Sequence, residues 1–254
     1  YANRIIPGSV PQVLGEDEQD CIFAMAYLPS AQFPVWKQQL LDGVADSQTA
    51  TRVAELLVKV HAASARDPAL LARFDHDEDF VAIRLSPYFL HTAQKHPDCA
   101  AALHALVQQT LAHKHVLIHG DVSPKNILNG NSGPVLIDAE CACLGDPAFD
   151  LAFVLTHMLL KCVYRPADTA AYLACFDALS QRYLQQVDWE AAAKLETRAC
   201  ALLAGMLLAR VDGKSPVEYL TQPEQHDFIR VKTIAWLQQP VTRLSLMRQQ
   251  WTYS

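Results

Sequence analysis

The chain has 254 residues, of which 51 % are hydrophobic, with a formal net charge of −6 and a pI near 5.9. That length and apolar fraction describe a globular chain with a large core in one or two domains, not a disordered one. The acidic balance argues against a nucleic-acid partner, which needs a basic surface. No signal-peptide pattern or apolar run of membrane-spanning length is seen, so no membrane partner is expected. The seven cysteines are odd in number and lie mostly in apolar helical contexts, such as Cys162, Cys175 and Cys200. They fit reduced thiols in a cytoplasmic enzyme better than a disulfide framework.

In chain order, residues 11–14 and 21–28 read as two strands joined by an acidic turn at 15–20. Residues 32–41 read as a short helix with Pro34 near its first turn. Residues 47–61 carry Val53, Leu56, Leu57 and Val60 at helical spacing, with Ser47 as N-cap and His61 as a packing or capping histidine. The acidic run FDHDEDF at 74–80 reads as a solvated helix start favoured by the helix dipole, with a metal site as the other reading. Helices are expected over 80–93 and 97–112. His113, Lys114, His115 and His119 look like a metal cluster, but His115 and His119 flank a short strand and His113 lies at a helix end. Cys141 and Cys143 lack the further ligands that a zinc site needs and are expected to pack.

The stretch 116–150, VLIHGDVSPKNILNGNSGPVLIDAECACLGDPAFD, organises the rest. Two short apolar arms, Ile127-Leu128 and residues 134–137, flank a Gly/Asn-rich turn and read as a β-hairpin. Asn126 starts one arm and Asp138 ends the other, so a hairpin sets them side by side at its open end. Asp121 lies one short loop before Asn126. Hard Mg²⁺ takes oxygen ligands, often one or two carboxylates with phosphate oxygens. A further carboxylate can accept a hydroxyl proton during attack on a γ-phosphate. A hydrolase using His119 with Ser123 is the weaker reading, because no G-x-S-x-G elbow surrounds Ser123. Downstream, Asp146-Pro147 opens a helix as N-cap and first residue. Its body at 151–162 is apolar nearly all round, hence buried, and too short to span a membrane. Helices are expected over 168–186, 189–211 and 225–238. Arg210 and Lys214 either meet an anionic substrate or complement the negative end of the helix before Gly213.

The pattern HGD, four residues, Asn, then IDAE and GDPAFD resembles the aminoglycoside phosphotransferase and choline kinase branch of the protein-kinase-like superfamily. The resemblance implies an α+β fold: a mostly helical C-terminal lobe (31–254), a small β-hairpin at the catalytic site, and a remnant of the N-terminal β lobe with the hinge (1–30). It implies ATP and Mg²⁺ as cofactors and a small-molecule hydroxyl substrate. The alternative is a noncatalytic kinase-like nucleotide- or ligand-binding protein. By the same resemblance, Asp121 is catalytic and His119 positions its loop. Asn126 and Asp138 are the metal ligands, with Glu140 beside them. Ser123 and Lys125 face the nucleotide cleft, and the backbone of Ala26, Tyr27 and Leu28 faces the adenine. Asp150 supports the catalytic-loop backbone. The family's phosphate-covering loop, strand lysine and its glutamate partner have no counterpart here, since the first lysine is Lys37. The chain is therefore expected to be a fragment, with a degenerate kinase fold as the alternative. The family's acceptors range from aminoglycosides and choline to sugars. An acidic pocket drawn from Asp77, Asp79, Glu190 or Glu218 would favour an amine-bearing one.

Overall fold

The computed structural model describes residues 1–71, 73–74 and 76–253. After α1 (Ala2–Ile5), strands β1 (Val13–Asp17) and β2 (Ile22–Met25) form an antiparallel hairpin whose residues are all exposed. The first strand is offset toward the turn from the expected 11–14, and the second lies within the expected 21–28. Residues 32–35 are not helical. Val35 bridges to Leu128, and α2 spans only Trp36–Leu41. Pro34 therefore serves the hairpin edge, where its carbonyl accepts from Asn129 N–H, rather than a helix turn.

Helix α3 (Ser47–Ser64) is capped by Asp46, not Ser47: the Asp46 carboxylate accepts from the N–H groups of Gln48 and Thr49. Asp is the stronger cap here because its two oxygens reach both orphan donors. Short α4 (Pro68–Leu71) comes next. Then α5 (Asp77–Phe80), a π-helical stretch (Val81–Leu90) and α6 (His91–Lys95) run on as one helix. Pro87 lies inside the π-helical part. It lacks an N–H to donate, and such widened turns occur where the ladder is interrupted. Asp75 of the acidic run lies outside the described residues. Of its neighbours, Asp77 pairs with Lys114.

Helix α7 (Ala100–Ala112) leads into β3 (Val116–Ile118). Strands β4 (Ile127–Gly130) and β5 (Gly133–Leu136) form the expected hairpin, with a turn of only two residues, Asn131 and Ser132. A further strand, β6 (Cys143–Gly145), has no periodic signal of its own and pairs antiparallel with β3. It explains the cysteines. Cys141 and Cys143 are buried, no Cys is bonded to another, and no metal-capable cluster of His, Cys, Asp or Glu occurs among the described residues.

The core is helical. It comprises α8 (Pro147–Tyr164), α9 (Thr169–Gln185), α10 (Ala192–Asp212), α11 (Pro223–Gln238) and α12 (Leu244–Gln250), the last beyond the helices expected from the sequence. Asp146 caps α8 by accepting from Ala148 N–H, and Arg198 of α10 grips the same carboxylate with two nitrogens at 2.8 and 3.1 Å. At 18 residues α8 reaches the length and hydropathy that can cross a bilayer, longer than the expected 151–162 body. It is instead 94 % buried within the protein, among the other helices.

That burial includes a lysine. Lys161 is 1 % exposed, has no carboxylate within ion-pair distance among the described residues, and sets its Nζ 3.3 Å from the Tyr219 ring centroid. Burial, then the charges of Lys37 and Arg210, outweighs Glu218 and pushes the ammonium down from 10.5 to about 7. Unfolded chains hold that proton up to pH 10.5 while the fold releases it near 7, so stability rises with pH across this window. Lys161→Met is therefore expected to be more stable than the parent at neutral pH, with the gap closing toward pH 10.5. Denaturant unfolding at stepped pH measures this; a gap independent of pH would contradict it.

Candidate active site

The loop between β3 and β4 is fixed by three side chains from three directions. The first is Asp150, fully buried in the first turn of α8. Its Oδ2 accepts from His119 N–H at 2.7 Å and its Oδ1 from Gly120 N–H at 2.9 Å. His61 of α3 stands 3.2 Å from Oδ2 through Nε2, and its Nδ1 is 2.7 Å from Tyr183 Oη of α9. A carboxylate only accepts, so His61 Nε2 is the donor there and, in the neutral ring, Nδ1 accepts from the tyrosine. Burial works against the Asp150 charge. The hydrogen bond from His61, with the N–H of His119, nonetheless holds its carboxyl below 3.8. His61 is thus part of the support of this loop, not a generic packing residue.

His119 is the second strap. Its Nε2 is 3.1 Å from the Ile137 carbonyl and its Nδ1 accepts from Asp121 N–H at 3.3 Å. One ring therefore ties the loop to the end of β5. The hairpin ladder continues there, with Ile137 N–H donating to the Asn126 carbonyl at 3.0 Å. Asp138 comes directly after, with a left-handed φ of 63°. Such a backbone state is sparse for non-glycine residues and gathers at functional sites. Asn126 is buried and donates from Nδ2 to the Asp121 carbonyl at 3.0 Å, which leaves its Oδ1 as the remaining side-chain polar atom. Both side chains thus have oxygen to offer at the hairpin's open end, and hard oxygen donors fit Mg²⁺.

The third strap, Arg84 from the π-helical stretch, has no sequence signal, because a lone arginine on an amphipathic helix reads as surface charge. It donates from Nε to the Gly120 carbonyl at 2.9 Å, and its Nη2 pairs with Asp121 Oδ2 at 2.9 Å. Lys125 adds a contact to the same oxygen at 3.2 Å. Gly120 itself needs to be glycine. Its φ is +74°, and a Cβ would sit 2.6 Å from the Cys141 carbonyl oxygen.

Asp121 opens on a cavity of about 450 Å³. Ser123, Lys125 and Glu140 line it too, and its far wall is made by Tyr88, Phe153, His157, Arg210 and Tyr219. Asn126 and Asp138 are not among its lining residues. The segment expected to face the adenine follows directly on β2. Ala26 N–H donates to the Gln12 carbonyl at 2.8 Å, so that donor is spent in the hairpin, and Tyr27 is 84 % exposed.

A sequence profile of the family described as a phosphotransferase enzyme family (APH) matches residues 1–195. A search of curated proteins returns no match. Among solved structures, the chain is similar to a choline/ethanolamine kinase family protein from Mesorhizobium loti, with 14 % identity and a TM-score of 0.46 over 98 % of this chain and 81 % of that one. It is also similar to a glucosamine kinase, with 16 % identity and a TM-score of 0.47 over 98 % of this chain and 66 % of that one. An aminoglycoside phosphotransferase from Alicyclobacillus acidocaldarius gives 17 % identity and a TM-score of 0.47 over 98 % and 80 %.

The buried anchor of this loop can be tested directly. Asp150→Asn presents an N–H₂ where only acceptors fit, so it is expected to cost about 3 kcal/mol, the scale of hydrogen bonds to a buried charge. The carboxyl is held below 3.8, so its stabilisation is present above that pH and lost as the pH falls through the folded value. Acid unfolding of the parent should show this loss below about pH 4, and the Asn variant should lack it. Equal denaturation midpoints for the two proteins at pH 7 would refute the role.

Proposed function

Because the chain belongs to the phosphotransferase enzyme family, we propose that it moves the γ-phosphate of ATP to a hydroxyl of a small molecule, with Mg²⁺. One observation carries this reading: a single histidine, His119, joins the loop of Asp121 to the hairpin end of Asn126 and Asp138. An acid facing a cavity and a pair of oxygen donors are thereby tied to one another.

Asp121 receives the acceptor. Arg84 and Lys125 both sit on its Oδ2, which leaves Oδ1 for a hydroxyl. It orients that hydroxyl and takes its proton as the oxygen attacks phosphorus, an effect worth about 10²- to 10⁴-fold. Lys125, 3.2 Å from the same Oδ2, would share its charge with an incoming phosphoryl group. Asn126 Oδ1 and the Asp138 carboxylate would hold the metal, which when bound neutralises charge on the phosphate oxygens. Asp150, His61 and Tyr183 act at a distance. They fix the loop backbone, and a loop misplaced by about 1 Å can cost about 100-fold in rate.

Asp121→Asn should lower kcat by roughly 10²- to 10⁴-fold with little change in the KM for ATP. Asp138→Ala should raise the Mg²⁺ concentration needed for half-maximal rate. ADP release coupled to NADH oxidation reads both, and parent-like kinetics in either variant would remove that residue from its role. A noncatalytic binding protein would give no ADP release with any acceptor.

A further inference from the structure

The acceptor side of the cavity is electropositive in a chain whose net charge is −6. Lys37, Arg84, Lys125, Arg210 and Lys214 line it, against the carboxylates Asp121, Glu140 and Glu218. Two of those carboxylates are already neutralised, Asp121 by Arg84 and Lys125, and Glu218 by Lys37. Glu190, a candidate for an acidic pocket, pairs with Arg198, and Asp212 near Arg210 in sequence is held by His96 and Arg230. Among the described residues, neither Arg210 nor Lys214 has a carboxylate partner. The carbonyl end of α10 offsets part of the Arg210 charge, but Lys214 stands beyond it in the following loop.

The same cavity collects unsatisfied polar atoms. Ser123 Oγ, His157 Nε2, Arg210 Nε and Tyr219 Oη are buried, have no hydrogen-bond partner among the described residues, and all belong to lining residues. His157 and Ser123 are 7 % and 2 % exposed. Leaving a buried donor or acceptor orphaned is costly, so four around one space favour a polar ligand there. Arg210 is already held in place, donating from Nη1 to Tyr88 Oη at 2.9 Å and to the Ser215 carbonyl at 2.6 Å, which leaves its Nε edge free. Burial, then the charges of Arg210, Lys161, Lys37 and Lys125, keeps His157 well below 6.5, hence neutral at pH 7. Ser123 and Lys125 line this space on the side where the phosphoryl group is expected, whereas Ala26, Tyr27, Leu28, Asn126 and Asp138 do not line it, so Arg210 and Lys214 stand apart from the proposed adenine and metal contacts.

We propose that the hydroxyl compound phosphorylated here carries an oxyanion, a carboxylate or a phosphate ester, bound by Arg210 and Lys214, with Tyr219 and His157 hydrogen-bonding its polar atoms and its free hydroxyl turned to Asp121. An amine-bearing acceptor is disfavoured by the same charges. This rests on the phosphotransferase reading for the fate of the hydroxyl, but not for binding.

The test is calorimetric binding without nucleotide, using two matched sets of probes. One is glucose, glucosamine, glucuronate and glucose 6-phosphate; the other is glycerol, 3-amino-1,2-propanediol, glycerate and glycerol 3-phosphate. The anionic members of at least one set should bind about tenfold or more tighter than the neutral one, and the amine weakest. Comparing carboxylate with phosphate ester decides between the two sources. Arg210→Met and Lys214→Met should each erase about tenfold of that preference while MgADP affinity stays at the parent value. Lys214 is exposed and lacks an ion-pair partner among the described residues, so its variant keeps the test sound if Arg210→Met fails to fold. Neutral or amine probes binding as tightly, no probe binding at all, an anion preference that survives both substitutions, or a parallel loss of MgADP affinity would each overturn the proposal. Anion binding without phosphate transfer from ATP would instead remove the phosphotransferase reading and leave this one standing.

Discussion

Everything at this site depends on one buried carboxylate accepting two consecutive backbone N–H groups. An ionised side chain with no solvent exposure is costly unless its lone pairs are used. Asp150 meets that condition with the amides of His119 and Gly120 and the imidazole of His61. The hydroxyl of Tyr183 on the far side of His61 completes the chain. Three helices, α3, α8 and α9, therefore converge on the backbone just before Asp121, and the acid inherits its position from the helical core rather than from its own loop.

The remaining straps build on that anchor. With the backbone held from below, Gly120 takes a positive φ that a side chain would not tolerate against the Cys141 carbonyl. Arg84 then grips the Gly120 carbonyl and Asp121 from the side, and the π-helical winding around Pro87 sets that stretch's register over the loop. His119 carries the constraint across to the hairpin, so the loop of Asp121 and the end of β5 share a single ring. Preorganisation of this kind means that little reorganisation is left for the moment of reaction.

The charge of the cavity is a separate matter from the charge of the chain. The acidic excess is spread over exposed surface or consumed in pairs such as Asp77–Lys114 and Arg182–Glu55. Among the described residues, Arg210 at the end of α10 and Lys214 just beyond it have no such partner. The Arg182–Glu55 pair joins residues 127 apart, so no count along the sequence reveals the sign of the field inside one cavity.

By itself the sequence determined the site's local grammar: the HGD loop, the hairpin after Asn126, Asp146-Pro147 as a helix start, and the helical character of most of the C-terminal half. These are legible because they are short-range, set by turn chemistry, capping and hydrophobic period. Family membership is legible for the same reason, since the motif spacings are local. The tertiary structure alone decided which residues stand around the loop. Arg84 reaches Gly120 across 36 residues, His61 reaches Asp150 across 89, and Tyr183 reaches His61 across 122. The pairing of β3 with β6, the edge role of Pro34 and the lack, among the described residues, of a carboxylate beside Arg210 and Lys214 were likewise undetermined by the chain order. Each depends on which distant side chain arrives as partner, and burial energy chooses that partner through the packing of whole helices, not through any local pattern.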